Sequence, residues 1–153
     1  MHWTPEDIAF MEKALEQARM AAKTGEVPVG AVLTNAEGKI LAQAFNQPIS
    51  LCDPTAHAEI LALREAAKRA GNYRLLGCTI YVTLEPCPMC AGALVYARIK
   101  RLVFATHDPK AGACGTIFNI VDNKYLNHRI QVCAGLLAEK AQKLLQDFFK
   151  QRR

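Results

Sequence analysis

The chain has 153 residues, 51% of them hydrophobic, and its 19 Lys and Arg against 14 Asp and Glu give a formal net charge of +5. That length is one domain, residues 1–153, and the apolar share can build a core without disulfide staples. No apolar run is long enough to span a membrane and no basic-then-apolar leader opens the chain, so no membrane partner and a cytoplasmic setting are expected.

Thr4-Pro5-Glu6-Asp7 opens a helix: a hydroxyl for the cap, proline at the first helical position, and acids at the positive end of the helix dipole. Ile8, Met11, Leu15, Ala18 and Ala22 recur at helical spacing and predict its buried face, with Gly25 as its stop. Val27 to Leu33 and Lys39 to Asn46 flank the turn cluster Asn35-Ala36-Glu37-Gly38 and predict a hairpin. Gly30 marks a point where another group approaches the backbone. Asn46 ends the second strand, either as a turn-capping amide or as one that reads a base.

After a loop over 47–55, Thr55 is expected to cap a helix from Ala56 to about Ala70, stopped by Gly71-Asn72. His57 and Glu59 then stand in its first turn. Residues two apart do not share a helix face, but a metal lying off the N-terminal end is within reach of both. Cys78 to Leu84 is apolar and β-branched, as a central strand covered on both faces would be. Glu85-Pro86 breaks it. Cys87 follows as an N-cap with Pro88 at the first helical position, and Cys90, three residues on, points its sulfur the same way.

Leu102 to Ala105 predicts another buried strand, followed by a glycine-rich loop over Thr106 to Thr116 that carries Asp108 and Lys110. Ile130 to Cys133 predicts a last strand. From Leu136 onward, Leu137, Ala141, Leu144, Leu145, Phe148 and Phe149 form the apolar stripe of a final helix that ends Lys150-Gln151-Arg152-Arg153. Strands alternating with helices predict an α/β layered fold.

His57, Cys87 and Cys90 are three ligands of the nitrogen and sulfur type that zinc prefers. A structural zinc site closes its shell with four, so three leave a position for water, and Glu59 stands where it can handle that water's protons. Taken singly the signals are weak. Cys87-x-x-Cys90 also reads as a redox pair or half a zinc ribbon, His57 as a core residue, Glu59 as a surface charge. Together, each at a helix start, they read as a metal corner. His107, His128, Cys52 or Cys114 could supply a fourth ligand, although none lies in a ligand-spaced pair. Cys52, Cys78, Cys114 and Cys133 otherwise read as reduced, buried small hydrophobes. The basic residues Lys100, Arg101, Lys110, Lys124, Arg129, Lys150, Arg152 and Arg153 mark either a surface for a polyanion or an ordinary solvated exterior.

His57-x-Glu59 followed by Pro86-Cys87-x-x-Cys90 is the established signature of zinc-dependent nucleobase deaminases. With Val27-Pro28-Val29-Gly30-Ala31-Val32, Asp53 through Glu59, Asp108 through Ala113 and the ending Asp147 through Arg153, the chain resembles the cytidine deaminase superfamily from about Thr4 onward. Within it, the chain is similar to the bacterial tRNA-specific adenosine deaminases. Pro88 and Cys114 are small departures from the usual pattern.

The resemblance implies a cytidine-deaminase-like three-layer α/β fold, with a five-stranded mixed sheet flanked by helices, assembled as a homodimer. It implies one Zn²⁺ per subunit on His57, Cys87 and Cys90, Glu59 as proton shuttle, Asn46 bonded to the purine and Asp108 near a flanking sugar. The implied reaction is hydrolytic deamination of adenosine to inosine at wobble position 34 of the tRNA anticodon stem-loop, with the base splayed out for access. Lys110 and Phe149, with the closing arginines, are candidates for holding the RNA. The competing readings are a small-molecule guanine or cytosine deaminase of the same superfamily and a non-catalytic, zinc-stabilised RNA-binding module.

Overall fold

The computed structural model describes residues 2–152. Its elements run α1 (Pro5–Lys23), β1 (Gly30–Thr34), β2 (Ile40–Phe45), α2 (Ala58–Ala70), β3 (Thr79–Leu84), α3 (Pro88–Tyr96), β4 (Arg101–Thr106), β5 (Gln131–Ala134) and α4 (Ala138–Gln151). The strands form one sheet in the order β2-β1-β3-β4-β5. β1 pairs antiparallel with β2 and β3, whereas β3–β4 and β4–β5 are parallel. This is the expected mixed five-stranded sheet, with β3 at its centre.

Alternation along the strands builds two cores. Ala31, Leu33, Ile80, Val82, Leu102 and Phe104 face α2 and α3, while Val32, Tyr81, Val103 and Ala105 face α1 and α4. A sheet buried on both faces needs this near-continuous apolar run, and the layers follow from it. Phe104 is fully buried; burying a side chain of that size contributes roughly 1.5–3 kcal/mol. No helix of the described residues is long and apolar enough to cross a membrane.

Helix α1 starts as predicted, with Thr4 and Asp7 closing a reciprocal capping box, and Gly25 follows its end at φ +81°. Its buried face is rotated from the expected one. Asp7, Ala14 and Ala21 are buried with Met11, Leu15 and Ala18, whereas Ile8 is 41% exposed. The reason is Asp7, which accepts two bonds from Arg101 (2.7 and 3.1 Å) and one from the Tyr81 hydroxyl (2.7 Å). A paired carboxylate turns inward and carries the helix face with it. The approach foreseen at Gly30 is made by α1: a β-carbon there would overlap the Ala14 carbonyl and the Ala18 amide.

The predicted start of α2 is displaced. The helix begins at Ala58 with His57 as N-cap, two residues later than expected. Thr55 is held instead by Asp53, whose Oδ1 accepts from its N–H (2.8 Å) and its hydroxyl (2.7 Å). That local turn competes with helix capping. Cys78, Cys114 and Cys133 are buried as expected, but Cys52 is exposed, on a loop at φ +50°.

Candidate active site

The parallel β3–α3–β4 unit directs the carboxyl end of β3 toward α3, and α2 starts beside it. Ligands in α/β sheets gather at such strand ends. His57 and Cys87 are the N-caps of α2 and α3, and neither side chain caps its own helix. Both are thereby free to point outward between two helix N-termini. Cys90, in the first turn of α3, completes the corner, fully buried. Cys87 Sγ lies 3.6 Å and Cys90 Sγ 3.4 Å from His57 Nδ1. All three candidate ligand atoms fall within 4.8 Å of one another, and no other such cluster occurs among the described residues.

One borderline nitrogen and two sulfurs converging this closely fit a tetrahedral metal with one position open. The candidate fourth ligands are engaged elsewhere. His107 Nδ1 meets the Thr116 hydroxyl at 3.0 Å, and His128 Nε2 meets the Ile99 carbonyl at 2.6 Å.

The protonation pattern follows from this crowding. The Cys90 thiol donates to Cys87, which with His57 pulls the Cys87 thiol down to about 4. The same donation, with burial, pushes Cys90 up. Cys87 also holds the His57 imidazole above its ordinary value, against its desolvation. A metal takes its ligands deprotonated, so loading this corner releases protons.

Glu59 is buried, and burial pushes its carboxyl up to about 7, its own backbone N–H and the His57 imidazole opposing the rise. It lines a cavity of about 300 Å³ with His57, Cys87, Asn46 and Asp108. A carboxyl near neutrality inside a cleft is suited to take up a proton and return it.

The capping reading of Asn46 holds, although the group it caps is the start of α2 and not a turn. Its Oδ1 accepts from the Ala58 N–H at 2.7 Å, which supplies the helix cap that His57 does not. With the oxygen engaged, the amide nitrogen is the group left for a ligand in the cavity. Asp108 is similarly divided: Oδ1 accepts from the N–H groups of Lys110 (2.9 Å) and Ala111 (3.3 Å), while the residue borders the cavity. Lys110 and Phe149 lie outside the cavity. They border an adjoining groove of about 490 Å³ that shares Val27, Leu84 and Asp108 with it.

The basic residues do not act as one stripe. Arg101 is bound to Asp7, Arg129 to Asp122 at 2.7 Å, and Arg152 covers the Phe148 ring at 4.1 Å. Arg153 lies outside the described residues.

Sequence reasoning missed two buried carboxylates, Glu85, which lines the cavity, and Glu26, which holds the loop that brings Pro48 to it. Glu26 is 1% exposed and accepts from Ile49 N–H (3.2 Å), Ser50 N–H and the Ser50 hydroxyl (both 2.7 Å). Glu85 is 2% exposed and accepts from the N–H groups of Asp108, Cys114 and Thr116 (3.0, 3.0 and 3.1 Å) and from the Thr116 hydroxyl. Burial raises each carboxyl, and the donated bonds, led by the Ser50 and Thr116 hydroxyls, more than offset that and hold both low. The available signal for Glu85 was a charge set directly after a strand that is largely apolar and β-branched.

The family model described as MafB19-like deaminase matches residues 6–153. The tRNA-specific adenosine deaminase of Haemophilus influenzae is 51% identical over 147 residues, covering 96% of this chain and 85% of that protein. The enzyme of the same name from Bacillus subtilis is 44% identical over 148 residues, covering 97% and 91%. A solved structure from work on A-to-I editing by tRNA:A34 deaminases superposes with a TM-score of 0.86 at 42% identity, covering 90% of this chain and 99% of that one. A guanine deaminase from Nitrosomonas europaea superposes at 0.77 with 26% identity, covering 97% and 86%.

Proposed function

We infer the reaction from one premise: the chain belongs to the MafB19-like deaminase family and, within it, to the tRNA-specific adenosine deaminases. It hydrolyses the exocyclic amine of adenosine at wobble position 34 of a tRNA anticodon, giving inosine and ammonia. The observation that carries this reading is the convergence of His57, Cys87 and Cys90 beside the buried carboxyl of Glu59. The stronger likeness to the tRNA-specific enzymes than to the guanine deaminase favours a base presented on RNA over a free one.

We assign zinc as the metal, one per subunit, held by His57 Nδ1, Cys87 Sγ and Cys90 Sγ. Such a metal supplies Lewis acidity that makes a nucleophile available from water near neutral pH. Glu59 takes the attacking water's first proton and passes it to the purine ring nitrogen, then carries the remaining hydroxyl proton of the addition product to the amine, which leaves as ammonia as the ring C=O forms. Its burial keeps the proton from leaking to solvent between the two transfers. Asn46 holds the purine through its amide nitrogen, oriented by the Ala58 N–H. Asp108 borders the sugar beside the target, and Lys110 and Phe149 hold the loop backbone and a neighbouring base in the adjoining groove. The working unit is a homodimer in the cytoplasm.

The test offers the zinc-loaded protein a stem-loop with adenosine at position 34 beside free guanine, cytosine and adenosine. Inosine is expected in the RNA alone. Ammonia released from a free base at a comparable rate would move the chain to the small-molecule branch, and absence of turnover on all four would leave only a binding module. Sedimentation of a two-chain species checks the assembly.

A further inference from the structure

The wall of the cavity that carries Asp108 is tied to the metal corner through one carboxylate. Glu85 sits at the end of β3, two residues before Cys87, and its own N–H donates to the Thr106 carbonyl at 2.9 Å. Its side chain crosses to the loop over 106–116. Oε1 accepts from Asp108 N–H and the Thr116 hydroxyl; Oε2 accepts from Cys114 N–H and Thr116 N–H. A carboxylate offers about four acceptor positions, and all four are filled by donors from this single loop. Gly112 completes the fit, since a β-carbon there would collide with the Glu85 carboxylate. Next to it, the Pro86 carbonyl accepts from Ala113 N–H at 2.9 Å. The metal ligand and the wall facing it are thus held in register by adjacent residues.

We propose that Glu85 is a positioning residue, whose carboxylate fixes the loop bearing Asp108 and Lys110 over the cavity. Resting as it does on the reading that this cavity and groove take the target nucleotide and its neighbours, the assignment makes Glu85 a determinant of substrate affinity that touches no substrate.

The isosteric variant Glu85→Gln discriminates. An amide nitrogen at the Oε2 position would face two N–H donors, Cys114 and Thr116, with no acceptor. At the Oε1 position it faces the Asp108 N–H, the His107 Nδ1 at 3.4 Å and the Thr116 hydroxyl, which can turn to accept. The amide therefore settles with its nitrogen toward Asp108. The bond from Asp108 N–H is lost, and those from Cys114 and Thr116 are kept.

Two measurements follow on the zinc-loaded protein. Amide hydrogen exchange is expected to accelerate by about tenfold or more at Asp108 and to change little at Cys114 and Thr116. With the adenosine-34 stem-loop, KM is expected to rise by about tenfold while kcat stays within about twofold and metal content is unchanged. Unchanged exchange at Asp108, or equal acceleration at all three amides, would overturn the assignment, as would a fall in kcat and metal content at constant KM. A wild-type protein that makes no inosine would sink the functional reading instead, and the exchange measurement would still decide whether Glu85 holds the loop.

Discussion

The metal corner and the cavity walls are built by opposite uses of the same physics. At the corner, the residues at two helix N-caps decline to cap, and their side chains converge on a point between the helices. Around the walls, buried carboxylates gather donors from one loop each, Glu26 three from the loop after β2 and Glu85 four from the loop after β4. The corner holds its reactive groups ready by engaging them with one another. The walls hold their shape by engaging theirs with a loop. Chemistry should therefore fail when the corner is touched, and affinity when the walls are.

The largest effect is expected at the corner. Cys90→Ala removes one of three ligands, so bound metal measured by elemental analysis should fall well below one per chain and inosine formation below detection. Glu59→Gln leaves the ligands intact. It should keep its metal and its KM while kcat drops by a factor of about 10² to 10⁴, the range for a lost general acid–base group; a KM effect of equal size would blur the contrast.

Another buried carboxylate, Asp7, belongs to α1 on the opposite face of the sheet. Asp7 is bonded to Arg101 and Tyr81 far from the cavity, and the Arg101 guanidinium is the main cause that holds it at about 2 against an ordinary 3.8. A depressed carboxyl stabilises the fold fully above its unfolded pKa and loses that contribution as pH falls toward the folded one. Asp7→Asn should thus cost on the order of 2 kcal/mol in denaturant unfolding at pH 6. The gap to the native chain should close as pH drops from near 4 to near 2, and KM measured at neutral pH should be unchanged. The smallest effect belongs to Glu26→Gln. It loses one amide bond of the loop carrying Pro48, and a KM increase of about threefold is expected with kcat steady. A larger kcat loss there would mean that wall and corner are not separable.

Much of the corner was legible because its signals are local or chemically rare. Thr4-Pro5, Cys87-Pro88 and the stop at Gly25 act within one helical turn, so short stretches of chain predict them. Histidine and paired cysteines are uncommon, and their types suggest a common ligand even though His57 and Cys87 stand 30 positions apart. The strands were legible as well, since a sheet covered on both faces demands apolar runs. Where the reading slipped, a tertiary or competing bond intervened: Asp7 rotated α1, Asp53 drew Thr55 away from capping, and Asn46 supplied the cap from twelve residues upstream.

By itself, then, the sequence determined the layered fold and pointed to His57, Cys87, Cys90 and Glu59 as candidates, because each follows from periodicity or from residue types with few other uses. Only the tertiary structure decided which acids are buried and what they hold. Glutamate is an ordinary surface residue, and nothing near Glu85 in sequence announces donors 23, 29 and 31 positions away. A buried carboxylate is stable only when those donors arrive together, and bringing them together is the work of the folded chain.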